Sequence, residues 1–242
     1  MDSSRRTLIV AVAVVVALLI AGLFFLATQS EPEFEPQPEL IPDIPDPDVE
    51  PDPDQAPEPE TELPSEIEVT AEEIRDQDGE LLLHITDLPD EVEPDADSSF
   101  GGPTRFTNAV LSVDGSWIAI GAAGDAHGYG FLYDVPAEEH HLVAFQFGGE
   151  VGPHSWSPDD RFALFTLSSP APAEFLKLVD REDIREYAID TGFQVEVEQE
   201  EELAPPFEYE PTEWREPHDL CFRLAGVGYC VDAWTEEVQE ER

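Results

Sequence analysis

Leu111–Ile120 reads LSVDGSWIAI, and 45 residues further on Trp156–Phe165 reads WSPDDRFALF. Each segment places a serine two residues before an aspartate, turns the chain, and continues into a short apolar run of strand type. Ser112 aligns with Ser157, Asp114 with Asp159 and Trp117 with Phe162. A turn signal followed by a strand pattern, recurring at a fixed period, marks a repeat architecture. A second pattern recurs alongside it: an apolar strand that ends in aspartate and enters an acidic turn. It occurs in HITDLPDE at Asp87, FLYDVPAEE at Asp134, LKLVDRED at Asp180 and YCVDAWTEE at Asp232, at spacings of 47, 46 and 52. The last block also carries Trp214, Pro217, His218 and Asp219, which echo Trp156, Pro158 and Asp160. The expectation is an all-β domain of four blocks, each strand, turn, strand, turn. Asp87, Asp114, Asp134, Asp159, Asp180 and Asp232 are expected to accept hydrogen bonds from turn amides and so fix the hairpins.

The segments SPDDRFALF and SVDGSWIAI resemble the Ser-Pro-Asp-Gly turn and following strand of the bacterial WD40-like β-propeller repeat family, and FLYDV resembles the next strand of that repeat. The resemblance is clear over Phe106–Ile189, faint over Glu66–Phe100 and suggestive over Trp214–Trp234. Two positions depart from the family: Asp160 stands where glycine is usual, and Val113 where proline is. The resemblance implies a small or partial β-propeller-like domain with a binding rather than a catalytic role. About 177 residues at roughly 45 per repeat correspond to four blades, the lower end for propellers. A closed ring, a partial propeller and a twisted sandwich of the same hairpins all remain open.

Outward from this region the composition changes. Thr7–Ala27 reads TLIVAVAVVVALLIAGLFFLA, without charge or proline. Twenty-one helical residues span about 31 Å, the thickness of a hydrocarbon core, so residues 7–27 are expected to form a transmembrane helix. A cleaved signal peptide and a twin-arginine export signal are the competing readings. Arg5 and Arg6 precede the helix and no basic residue follows it closely, which places residues 1–6 in the cytoplasm and the rest outside. Residues 28–65 are expected to be an extended linker, because Glu31–Ser65 holds 11 prolines and 13 acidic residues in 35 positions. The β domain is expected over residues 66–242.

Charge bounds the partners. The chain has 56 Asp+Glu against 11 Lys+Arg, a net charge of −45, which excludes unaided binding to nucleic acid. Lys177 is its only lysine, and such an acidic surface suits a folded state in concentrated, screening salt, hence a halophilic setting.

Cys221 and Cys230 lie in DLCFRLAGVGYCVD. A two-residue turn at Ala225-Gly226 sets them opposite each other at a non-hydrogen-bonded position, where a disulfide fits, and an exported compartment preserves it. No other chemistry assembles. His140 and His141 alternate across a strand and cannot share a metal, and His218 with Ser155 or Ser157 lacks a nucleophile elbow. The glycines of Gly121–Gly130 match no nucleotide loop and are expected to turn the chain. Glu196–Glu202 reads as a solvated charge run. No catalytic residue, metal or cofactor is assigned. The expected function is a membrane-anchored extracytoplasmic module of the cell envelope that binds a protein partner or ligand. The alternative is an envelope carbohydrate-binding protein or hydrolase that stacks sugars on Trp117, Trp156, Trp214 or Tyr133.

Overall fold

The computed structural model describes residues 63–170, 174–197 and 208–241. The expected transmembrane helix at 7–27 and nearly all of the 28–65 linker lie outside them. Among the described residues no helix is long and apolar enough to cross a membrane. Pro64, inside the expected linker, is buried, and its carbonyl lies so close to Gly115 that a Cβ there would meet it at 2.3 Å. Packing of the chain onto the domain therefore begins before Glu66.

The described chain is all-β, in five antiparallel sheets. A three-stranded sheet comes first: β1 (Ile67–Val69), β2 (Glu73–Asp76) and β3 (Leu81–His84). It is followed by a hairpin of β4 (Glu91–Asp95) and β5 (Ser98–Gly101). Three four-stranded sheets come next, each ordered as in the sequence. The first holds β6 (Arg105–Leu111), β7 (Trp117–Ala123), β8 (His127–Asp134) and β9 (Glu139–Phe147). The second holds β10 (Glu150–Trp156), β11 (Phe162–Ser168), β12 (Glu174–Asp180) and β13 (Phe193–Gln194). The third holds β14 (Tyr209–Trp214), β15 (Asp219–Leu224), β16 (Val227–Asp232) and β17 (Val238–Glu240). The first quarter of the domain thus differs from the expected block. It divides into a three-stranded sheet and a separate hairpin, and it lacks the serine-aspartate turn found at Ser112 and Ser157.

Burial explains why the central strands read as continuous apolar runs instead of alternating. Side chains alternate across a strand, so a strand covered on both faces must be apolar throughout. On β11, Phe162 and Leu164 enter one cluster with β15, while Ala163, Phe165 and Leu167 enter another with β8 and β10. On β12, Leu176 and Leu178 face the first cluster, and Phe175 and Val179 the second. Each Phe or Leu so buried stabilises the fold by about 1.5–3 kcal/mol. In the third sheet Leu220, Phe222 and Leu224 enter the core. Its other face carries Arg223 and a disulfide between Cys221 and Cys230, whose Cα atoms are 4.0 Å apart in register. Ala225 and Gly226 form the turn, at φ 51 and 82. By the chain-entropy argument a loop this short gains about 2–3 kcal/mol from the bridge.

Successive sheets are also tied by hydrogen bonds between residues about one repeat apart. Trp156 Nε1 donates to the Val110 carbonyl at 2.9 Å, and Asn108 Nδ2 to the Pro153 carbonyl at 3.1 Å. The Asp160 carboxylate accepts from the amides of Val113 at 2.8 Å and Asp114 at 2.9 Å. The glycines of Gly121–Gly130 serve this packing more than they turn the chain. Gly128 and Gly130 lie within β8, and a Cβ on Gly128 would meet the Val151 amide nitrogen at 2.5 Å. Any side chain there would push β10 off the preceding sheet.

Asp160 sits in left-handed backbone, φ 59, and is 6% exposed. Asp160→Gly relaxes the backbone yet strands two amides, so it is expected to lower unfolding stability by about 1–3 kcal/mol. Asp160→Asn, which keeps an acceptor and tolerates this conformation, is expected to lose less. Urea unfolding checks both, and a stabilised Asp160→Gly would refute the role.

Candidate functional site

The two serine-aspartate turns build themselves in the same way. Ser112 Oγ donates to Asp114 Oδ1 at 2.7 Å and accepts from the Trp117 amide at 2.9 Å. Ser157 Oγ donates to Asp159 Oδ1 at 2.6 Å and accepts from the Phe162 amide at 2.9 Å. Both serines are buried with their hydroxyls committed. Asp134, Asp180 and Asp232 are the last residues of β8, β12 and β16 and accept from turn amides at Ala137, Glu182 and at Trp234 with Thr235 respectively. Asp87 instead ends a short 3-10 turn, Ile85–Asp87, and accepts from the His84 amide.

Four of these aspartates join a belt that crosses the seams between the four-stranded sheets. Arg181 reaches back 67 residues to Asp114 Oδ2 at 3.3 Å. Arg161 forks onto Asp180, with Nη2 to Oδ2 at 2.8 Å, and also pairs with Glu182 at 2.7 Å. Its guanidinium lies 3.9 Å from the centre of the Trp234 ring, a cation–π contact. Trp234 in turn meets Phe162 and His218 edge-on, and Asp232 caps its loop. His218 Nδ1 is buried without a hydrogen bond, 3.7 Å from Asp159 Oδ2. Asp87 and Asp134 stay outside the belt and serve their own turns.

Electrostatics follow from these contacts. Partial burial works against the Asp114 charge. Hydrogen bonds from Ser116 and Ser112 together with Arg181 outweigh it and bring the carboxyl down to about 2. Asp159 is lowered in the same manner: burial opposes, while Ser157, the Arg161 amide and His218 prevail. Both carboxylates are held anionic by these contacts. Neither Ser155 nor Ser157 is hydrogen-bonded to His218. Ser155 Oγ instead meets His154 Nδ1 and the Trp214 indole N–H. His140 and His141 approach different rings, Phe131 and Trp117, and among the described residues no group of three His, Cys, Asp or Glu is arranged to hold a metal.

Of the four rings considered as sugar platforms, Trp117 and Trp214 are half-buried, and the Trp214 indole N–H donates to Ser155 Oγ. Trp156 and Tyr133 are buried, and the Tyr133 hydroxyl donates to the Leu82 carbonyl at 3.0 Å. Reading the sequence missed Trp234, Arg161 and Arg181. A signal for the arginines was present: in a chain so poor in basic residues, each directly follows a turn aspartate, at Asp160-Arg161 and Asp180-Arg181.

No family model matches the chain, and no curated protein matches it. A solved structure from a study of two prolyl endopeptidases aligns at a TM-score of 0.43 and 16% identity, over 70% of this chain and 26% of that one. This likeness carries no argument about fold or function. The chain spans about a quarter of that structure's length.

Lys177 is a buried cation in the second sheet, 7% exposed, and its Nζ donates to the Ala188 carbonyl at 2.5 Å. Burial pulls it down to about 8, partly countered by Asp190. Unfolded lysine titrates near 10.5, so between these values the unfolded chain binds more protons and stability should rise with pH. Lys177→Met is expected to remove that rise and to stabilise the protein at pH 7 by about 1–2 kcal/mol, net of the lost hydrogen bond. Unfolding measured across pH 7–10.5 decides it; a variant less stable at pH 7 with the rise intact would contradict the assignment.

Proposed function

We propose that the chain is a membrane-anchored interaction module: a small or partial β-propeller-like array carried on an acidic stalk and held to the membrane by residues 7–27. Its partner is an envelope protein. The observation that carries this reading is the belt. Three successive meander sheets present their turns at one end, where part-buried and exposed polar bonds tie the loops into a defined surface. Val113 and Trp234 project from that end, 85% and 48% exposed. Binding residues sit on loops positioned by a rigid scaffold, and Trp and Arg are enriched among binding hot spots. The serial order of the sheets and the bonds between residues one repeat apart support the propeller-like reading. The carbohydrate-binding or hydrolase reading has less support: of its four rings Trp156 and Tyr133 are buried, and only Trp117 and Trp214 keep partly exposed surface.

The test is affinity capture with the full chain from detergent-solubilised membranes at native salt. The expected result is a partner retained by the wild type and lost with Trp234→Ala combined with Val113→Ser, in a variant of unchanged thermal stability. Recovery of no partner above background, or one indifferent to both substitutions, would contradict the reading.

A further inference from the structure

The last sheet ends on an edge whose character differs from the rest of the molecule. Asp232 N donates to the Glu237 carbonyl at 3.1 Å, and Glu241 N to the Gly228 carbonyl at 2.8 Å. Hydrogen-bonded pairs alternate along an antiparallel ladder, so the pairs are Asp232/Glu237, Cys230/Gln239 and Gly228/Glu241. The N–H and C=O groups of Val238 and Glu240 therefore point away from β16. Beside this edge runs a groove of about 590 Å³, with Val197, Tyr229 and Val238 as its apolar floor. Glu196, Glu236, Glu237 and Glu240 form its rim. Arg185 lies within the field of Glu236, but Glu196, Glu237 and Glu240 make no ion pair among the described residues. Arg215 is already paired with Glu213 and Glu241.

We propose that this groove is the docking site for an extended, basic segment of a partner protein, which adds to β17 as a fifth strand. Among the described residues no strand pairs with the outer edge of β17; such an edge supplies main-chain hydrogen bonds, and an adjoining groove supplies pockets for alternate side chains. The carboxylate rim selects the partner by charge. A second copy of this chain, at −45, is repelled from it. The fitting segment alternates lysine or arginine with aliphatic residues: Val238 and Glu240 share one face of β17 with Tyr229, where the aliphatic side chains pack, and Glu237 lies on the opposite face, where the basic ones meet it. This inference rests on the interaction-module reading and names a surface away from the belt. Trp234 and Val113 play no part in it, so the two can fail separately.

The probe is a synthetic eight-residue peptide alternating lysine and valine, titrated into the full chain in detergent at the lowest salt concentration at which the chain stays folded, so that screening is least. Saturable binding is expected, with slowed hydrogen exchange at the Val238 and Glu240 amides. It should weaken about tenfold when Glu236, Glu237 and Glu240 are all replaced by glutamine, and by a similar factor when the peptide amides are N-methylated. A peptide alternating glutamate and valine should not bind. Equal affinity of the N-methylated peptide would reduce the contact to diffuse charge attraction and overturn strand addition. Unchanged affinity of the glutamine variant would overturn the role of the rim. Absence of binding, as expected if residues 198–207 of the same chain fill the groove, would overturn the proposal outright.

Discussion

The carboxylate of Asp160 holds two sheets together from the interior of a turn. Its two oxygens take the amides of Val113 and Asp114, residues of the equivalent turn one repeat earlier. Reaching them requires left-handed backbone at a residue that carries a side chain, a conformation disfavoured by about 1 kcal/mol or more. Two charge-assisted hydrogen bonds from a buried carboxylate to part-buried amides outweigh that cost. With the tips in register, Trp156 falls against Val110 and Asn108 against Pro153, and Gly128 lets β10 close onto β8. The apolar clusters between sheets depend on this spacing, since each is formed by strands of neighbouring sheets.

A chain with so many carboxylates must also limit self-repulsion where its loops converge. It places arginines there. Arg161 and Arg181 lie where Asp114, Asp180 and Glu182 crowd together, and each reaches beyond its own turn: Arg181 back to the first four-stranded sheet, Arg161 forward to Trp234. Exposed ion pairs contribute little singly. At these seams they gain from partial burial and from forming a network. Away from them the surface is left acidic, as on the rim of the β17 groove, where Glu196, Glu237 and Glu240 make no ion pair among the described residues.

Much of the β architecture was legible because its signals are local. The turn serines and aspartates recur at fixed spacing, and the Ala225-Gly226 turn places Cys221 opposite Cys230 by counting alone. What was not legible depended on contacts between repeats. Asp160 looked like a departure from a glycine position, although its side chain makes the bond that a glycine could not. The glycines of β7 and β8 looked like turn residues because close approach by a distant strand leaves no mark in the neighbouring sequence. The division of the first block into a sheet and a hairpin did not follow the repeat because Glu66–Phe100 lacks the serine-aspartate turn; its turns are set instead by Asp76 with Gly79 between β2 and β3 and by Asp95 between β4 and β5. Trp234 was overlooked because its role comes from Arg161, more than seventy residues earlier in the chain.

The account turns on whether Asp160 secures the preceding turn, and amide hydrogen exchange resolved to Val113 and Asp114 tests that most directly. Val113 stands at a solvent-facing tip, 85% exposed, where an unbonded amide exchanges at the rate of an open loop. The account predicts that both amides are protected in the native protein. It also predicts that they become fast in Asp160→Gly while the Trp117 and Phe162 amides, bonded to Ser112 and Ser157 within their own turns, remain slow. Open-loop exchange at Val113 and Asp114 in the unaltered protein would contradict it.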